Sequence, residues 1–191
     1  MGNTYFEEQV YEGVDYREKG LTRGQYEACI FVNCDFSNSD LSNISFAGCS
    51  FKSCNLSNVN LEQATLNDAK FTDCKMLGML FERCSEYLFT VEFDNCVLNF
   101  SSFYKRVVKK TFFRKCSLQE VDFIDADLTG AVFEACDLAG AKFENSVLDK
   151  ADFRTAYNYT IDPALNRLKK AQFSLTGLPG LLAGYDLVIT P

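Results

Sequence analysis

The chain of 191 residues contains no histidine. Without an imidazole, the serine–histidine and cysteine–histidine dyads of nucleophilic enzymes cannot form. The glycines are scattered, and none forms a phosphate-binding loop after a strand. Acidic pairs occur only at repeated, exposed positions, where no burial prepares them for acid–base chemistry. We therefore expect a protein that is not an enzyme and that has no cofactor, no metal site and no small-molecule substrate.

Export and membrane signals are also lacking. The first ten residues, MGNTYFEEQV, have neither the basic start nor the apolar stretch of a signal peptide. No apolar run approaches the roughly 18 residues of a membrane span. The nine cysteines are an odd number, and their spacing does not match zinc-ligand pairs. The sequence predicts a cytoplasmic protein without membrane association, whose cysteines are small core residues.

Large apolar residues recur at every fifth position over most of the chain. The series runs from Phe6 to Phe81 and, after a two-residue insertion, from Leu88 to Phe153. The residue two before each of these centres is usually Cys, Ala or Ser, and the residue just before is often Asp or Asn. A period of five fits neither the helix nor the flat strand, so it predicts a repeat array. The three prolines lie beyond residue 160, as expected if the repeats need every backbone N–H for a ladder.

These repeats resemble the pentapeptide-repeat family, whose consensus is Ala-(Asp/Asn)-(Leu/Phe) followed by two polar residues. The segments that carry the resemblance are CDFSN, SDLSN, CNLSN, VNLEQ, ADLTG, CDLAG and ADFRT. The resemblance implies an all-β solenoid, a right-handed quadrilateral β-helix in which each unit forms one side of a square. Residues twenty apart should then stack. Predicted columns include Phe93, Phe113, Phe133 and Phe153, and also Leu88, Val108, Leu128 and Leu148.

We predict two parts in the chain. Residues 1–155 form the β-helix, with a register break near 82–87 that is either a tolerated slip or a functional loop. Residues 156–191 form a C-terminal cap, in which 161–173 is a helix with Asp162 as N-cap and 185–189 is a strand. Because this cap is apolar, we expect it to form a homodimer interface. The predicted interface residues are Leu165, Leu168, Leu178, Leu181 and Leu182.

The net charge is −7, so the surface as a whole should attract basic partners and should not bind DNA directly. The predicted acidic partner-binding residues are Asp122, Asp125, Asp127 and Asp137. Residues 101–115 hold six basic residues and no acid, which indicates either a docking patch or a solvated face balanced by nearby acids. Arg106 occupies a position that should be small and inward, which predicts a bulge. The second predicted partner-binding group is Glu86, Tyr87, Lys105, Arg106, Lys109 and Lys110.

Within the family, the subset that protects DNA gyrase comprises the quinolone-resistance, albicidin-resistance and microcin-immunity types, and three segments look most like the albicidin-resistance and microcin-immunity members. These segments are CKMLGMLFERC, NFSSFY and YNYTIDPALNRLKKAQFSLTGLPGLL. The resemblance implies a DNA-mimicking protein that binds DNA gyrase or topoisomerase IV. It would protect that enzyme from a topoisomerase-poisoning antibiotic, as acquired resistance or as producer self-immunity. The basic insert departs from simple mimicry. The alternative is a scaffold or regulatory interaction module with no link to topoisomerases.

Overall fold

The chain winds into four-sided coils of twenty residues, which confirms the predicted β-helix. This computed structural model describes residues 4–185 and 187–188. The strands that it describes are β1 (Tyr5–Glu7), β2 (Val10–Glu12), β3 (Gln25–Glu27), β4 (Ile30–Val32), β5 (Ser45–Ala47), β6 (Ser50–Lys52), β7 (Thr65–Asn67), β8 (Ala69–Thr72), β9 (Val91–Asp94), β10 (Phe112–Arg114) and β11 (Val132–Glu134). All their pairings are parallel. No helix in the described part of the chain is long and apolar enough to cross a membrane.

Each side of the coil stacks on the same side of the next coil. One side carries the sheet β1-β3-β5-β7, a second carries β2-β4-β6-β8-β9-β10-β11, and isolated parallel bridges join the other two. We number the sides as faces. Face I has the centres Phe6, Tyr26, Phe46, Leu66, Val108, Leu128, Leu148 and Leu168; face II has Tyr11, Phe31, Phe51, Phe71, Phe93, Phe113, Phe133, Phe153 and Phe173; face III has Tyr16, Phe36, Leu56, Met76, Leu98, Leu118 and Leu138; face IV has Leu21, Leu41, Leu61, Phe81, Phe103, Phe123 and Phe143.

The corners of the square lie at the fifth residue of each unit. Most of these residues adopt left-handed backbone angles, with φ of 58° at Asn38, 56° at Lys110 and 70° at Gly130. This region is sparsely allowed for side chains with a Cβ, and Asn, Asp and Gly enter it most readily. Only the centre and the residue two before it point inward. The other three residues of each unit therefore form the outer surface.

Aromatic rings fill the interior in continuous columns. The Phe133 ring stacks on Phe113 with centroids 5.0 Å apart and meets Phe123 edge-on at 5.9 Å. The cysteines occupy the small inward positions, and all nine are buried. The Sγ of Cys136 donates a hydrogen bond to the carbonyl oxygen of Phe113 at 3.2 Å. Burial raises the pKa of the Cys49 thiol to about 12, which keeps it protonated and unreactive at neutral pH.

The insertion shifts the pairing of adjacent coils from twenty residues to twenty-two, so that Phe71 pairs with Phe93. A 3₁₀-helix at Phe81–Arg83 precedes it. The prediction that the series resumes at Leu88 is wrong, because Leu88 is 51% exposed. Phe89 turns toward the core instead and meets Phe81 edge-on, with centroids 6.2 Å apart. Because the loop is two residues longer than a regular unit, Phe89 is partly buried in place of its neighbour Leu88.

The predicted helix over 161–173 is also wrong. Arg167 bridges to Val147 and Gln172 bridges to Asp152, so the coil continues past residue 155. Phe173 stacks on Phe153 with centroids 5.3 Å apart. Ladder pairing on an open coil end thus outweighs the local helix signals of this segment.

Short helices close the end of the coil. They are a 3₁₀-helix at Leu175–Gly177, α1 (Pro179–Leu182) and a 3₁₀-helix at Ala183–Tyr185. Of the predicted strand over 185–189, Tyr185 lies in the last of these helices, so the prediction is wrong at that residue. Asp186 and Ile189 lie outside the described residues.

Candidate functional site

The coils from residue 106 to residue 175 separate charge onto two opposite edges of the rod. We call the outer surfaces of faces III and IV in these coils the acidic edge. It contains Glu120, Asp122, Asp125, Asp137, Glu144 and Asp162, with Lys142 as its one basic residue. We call the outer surfaces of faces I and II the basic edge. It contains Lys109, Lys110, Arg114, Lys115, Lys150, Arg154, Arg167, Lys169 and Lys170, with Asp127, Glu134, Asp149 and Asp152.

The carboxylates of the acidic edge form no ion pairs with the residues that the structure describes. Within residues 4–185 and 187–188, none of the six has a Lys or Arg nitrogen within 4.0 Å. Asp137 accepts hydrogen bonds from Gln119 and Asn158 at 2.7 and 2.8 Å. Partial burial raises the pKa of Asp137, but these hydrogen bonds outweigh it and hold the pKa below its usual value. The edge therefore presents uncompensated negative charge at neutral pH.

The four predicted acidic residues do not form one surface. Asp122 and Asp125 lie on face IV and Asp137 on face III, so three of the four belong to the acidic edge. Asp127 lies on face I, opposite face III, and its carboxylate pairs with the Lys109 ammonium at 3.0 Å. A residue five positions along the chain moves to the next side of the square, which is why neighbours in sequence separate.

Sequence reasoning missed Glu120, Glu144 and Asp162. The period of twenty carried a signal for Asp162, because it places this residue in register with Asp122 and Lys142, which form a parallel bridge. Glu120 is held differently, since its carboxylate extends over Gly140 in the next coil. A Cβ at Gly140 would collide with that carboxylate. The missing side chain at Gly140 therefore provides the space that the Glu120 carboxylate occupies on the acidic edge.

The predicted basic group is spread over two faces and the interior. Lys105 lies at the corner of face IV, with its ammonium 4.8 Å from the Tyr104 ring centroid, whereas Lys109 and Lys110 lie on face I. Tyr87 is 73% exposed on the inserted loop. Glu86 and Lys105 line one cleft of about 360 Å³. The structure therefore brings part of this group together beside the loop.

Arg106 does not belong to the surface. Only 5% of it is exposed, and its guanidinium lies 4.2 Å from the Phe89 ring centroid. It donates hydrogen bonds to the carbonyl oxygens of Cys84 at 3.1 Å and Ser85 at 2.8 Å. The prediction that Arg106 contacts a partner is wrong, because this side chain fills the space beneath the inserted loop and anchors it.

The leucines predicted for the dimer interface divide into two groups. Leu165, Leu178 and Leu182 are 50%, 42% and 37% exposed. Leu168 and Leu181 are partly buried and pack against the core of their own chain. Only the first group is available to a second protomer.

The comparison with protein families agrees with the coil. The family profile described as Pentapeptide repeat region matches residues 25–85 and 86–157. HetL, a pentapeptide repeat protein involved in heterocyst differentiation regulation from the cyanobacterium Nostoc sp. strain PCC 7120, is 17% identical; the match covers 91% of this chain and 87% of HetL, with a TM-score of 0.52. A trypsin-treated variant of QnrB1, a plasmid-mediated fluoroquinolone resistance protein, is 21% identical over 98% of this chain and 100% of that chain, with a TM-score of 0.46. No curated protein sequence matches the chain significantly.

Proposed function

Because the chain belongs to the pentapeptide-repeat family, we propose that it works without catalysis, as a rigid rod that binds another protein through its acidic edge. The partner that this edge fits is a protein that normally holds DNA, and we propose DNA gyrase or topoisomerase IV. Binding would protect the enzyme from a topoisomerase-poisoning antibiotic. In such a role the partner binds to the outer surface of the rod, and no binding pocket is required.

The observation that carries this proposal is the set of six unpaired carboxylates on the acidic edge. DNA-binding grooves are lined by Lys and Arg, which gain affinity by releasing the counterions of a polyanion. A stiff rod with free carboxylates in successive coils offers those groups a comparable partner. By contrast, Asp15, Asp94 and Asp152 are already paired with arginines, so these three carboxylates offer less attraction to a partner. The choice of topoisomerase follows the sequence resemblance to the gyrase-protecting subset.

A supercoiling assay with purified gyrase tests this proposal. We expect the protein to restore supercoiling in the presence of a gyrase poison, or to inhibit the enzyme at high concentration. Replacing Asp122, Asp125 and Glu144 with Asn, Asn and Gln removes three charges from face IV. Because these carboxylates form no ion pairs, the triple variant should lose at least tenfold in potency while its circular dichroism is unchanged.

The matched control replaces Glu7, Glu8 and Glu12 with Gln, since these exposed acids lie in the first coil, far from the acidic edge. It makes the same change in net charge and should retain full potency. Equal losses in the two triple variants would show a general charge effect and contradict the assignment to this edge. A complete lack of effect of the unmodified protein on gyrase and topoisomerase IV would exclude both partners.

We also propose that the C-terminal cap forms a homodimer through its exposed leucines. Replacing Leu178 and Leu182 with Asp should convert dimers to monomers, because the change places charge in an apolar contact. Light scattering measures the mass directly. The control is Val97→Asp on face III, outside the cap, where the side chain is 38% exposed and shares a column with Asp137. This variant should remain a dimer. An unchanged mass of the double variant would rule out this interface.

A further inference from the structure

In the part of the chain that the structure describes, four lysines without an ion-pair partner lie along the rod where face I meets face II, three of them at the corner position and Lys169 one position before it. We call them the lysine corner: Lys110, Lys150, Lys169 and Lys170. Residues 110, 130, 150 and 170 occupy the same corner in successive coils, and position 130 is glycine. At ~4.8 Å per coil, Lys110 and Lys150 are about 10 Å apart and Lys170 lies about 5 Å further along.

Among residues 4–185 and 187–188, the ammonium groups of the lysine corner are not paired with carboxylates, although the Asp149 carboxylate lies beside Lys169 and accepts a hydrogen bond from its backbone N–H at 3.0 Å. In the described part of the chain, no Asp or Glu oxygen lies within 4.0 Å of these four ammonium groups. The neighbouring cations differ, because Lys109 pairs with Asp127 and Arg167 pairs with Asp149. The two aspartates therefore neutralise the flank and leave the corner itself positive.

We propose that the lysine corner binds the phosphate backbone of double-stranded DNA. From Lys110 to Lys170 the corner spans three coils, or about 14 Å. One DNA strand advances about 3.4 Å along the helix axis per phosphate, so this length matches the axial rise of about four phosphates. Gly130 leaves the centre of the line without a side chain, and the Lys110 stem lies close to it: a Cβ there would come within 3.5 Å of the Lys110 Cγ.

The composition of the corner favours a phosphate backbone over an acidic protein. The side chains along it are Lys, with Thr129 and Asp149 one position before the corner. Protein–protein interfaces are built around apolar cores and are depleted in lysine. Contacts with a DNA backbone need only flexible positive charge, and they carry no requirement for base recognition.

The net charge of −7 does not prevent this contact. The acidic edge lies on the opposite side of the rod, and each side contains five residues, or about 16 Å of extended chain. The Debye length is about 8 Å at physiological ionic strength, so the far carboxylates are largely screened. The expectation of no DNA binding came from total charge alone, whereas the coil separates the two signs. This proposal is independent of the topoisomerase, since the two edges face in opposite directions.

Fluorescence anisotropy with a labelled 20-base-pair duplex, in the absence of any topoisomerase, tests the proposal. Four lysine–phosphate contacts predict that raising the salt from 50 to 200 mM weakens binding about 150-fold. The variant K150Q/K170Q should bind more weakly and lose only about 12-fold over the same range, because two contacts remain. All four lysines are exposed, so these changes should leave the circular dichroism spectrum intact.

The matched control is K19Q/K52Q, which removes two exposed lysines outside the lysine corner. It should bind DNA with the same salt dependence as the unmodified chain. The proposal is overturned if the duplex does not bind at 50 mM salt, or if both double variants weaken binding equally. It is also overturned if a poly-glutamate peptide binds through Lys150 and Lys170 while the duplex does not, which would assign the corner to an acidic protein. Because the anisotropy experiment contains no gyrase, its result does not affect the prediction for the supercoiling assay.

Discussion

Replacing Phe113 with alanine is expected to lower the free energy of unfolding by about 3–5 kcal/mol. The Phe113 ring is fully buried in face II and stacks between Phe93 and Phe133, with centroids 5.3 and 5.0 Å away. It also meets Phe103 and Phe123 edge-on. Removing it leaves a cavity in the centre of the rod that rings held in two columns cannot collapse to fill. Guanidinium denaturation measures the loss.

Phe112 provides the matched control because it is the adjacent residue and has the same side chain. It points outward from β10 and is 44% exposed. Phe112→Ala should cost about 1 kcal/mol or less. Similar losses for the two variants would contradict the inward and outward alternation on which the coil depends.

Replacing Arg106 with alanine is expected to open the inserted loop. The change removes two charge-assisted hydrogen bonds and leaves the carbonyl oxygens of Cys84 and Ser85 without a donor, next to an unfilled space. Burying the guanidinium carries its own cost, which offsets part of the loss. We expect a net local loss of about 2 kcal/mol, which corresponds to a roughly 30-fold increase in amide exchange.

Hydrogen exchange at the amides of Ser85 and Thr90 measures this opening. These amides donate to the carbonyl oxygens of Ala64 and Leu66, and so report on the two ends of the loop. Arg106→Lys keeps the charge but cannot donate in the same fork, so it should fall between the unmodified protein and Arg106→Ala. Lys105→Ala removes the exposed neighbour and should change nothing at these amides. Unaltered exchange in Arg106→Ala would show that the loop does not depend on this anchor.

The coil itself could be predicted from the sequence because one period of five sets both the inward positions and the stacking. The Phe93, Phe113, Phe133 and Phe153 column follows from counting alone, and the structure confirms it. The sequence located the inserted loop near residues 82–87, but its internal arrangement could not be predicted, since two extra residues have no place in the repeat. Whether Leu88 or Phe89 points inward depends on the space around Arg106, which only the folded coil defines.

The candidate surfaces were less predictable than the fold. Asp127 and Lys109 are eighteen residues apart, and their ion pair arises because adjacent coils place them side by side. Lys110 and Lys170 are sixty residues apart, and no local pattern links them. Aligning charges at a period of twenty would have revealed both edges. Ion pairs determine which charges remain free. These pairs depend on side-chain positions, which the twenty-residue period does not determine.

The most direct test of the account is a pair of distances between spin labels on the corners of the coil. Lys105 and Asn145 occupy the same corner two coils apart, so labels there should lie about 10 Å apart and broaden the spectrum strongly. Lys105 and Lys115 are only ten residues apart but occupy diagonally opposite corners, about 20 Å or more across the rod, and should show little broadening. The native cysteines are buried and should not take up the label. Strong coupling between positions 105 and 115, together with none between 105 and 145, would contradict the four-sided coil and the two charged edges that it creates.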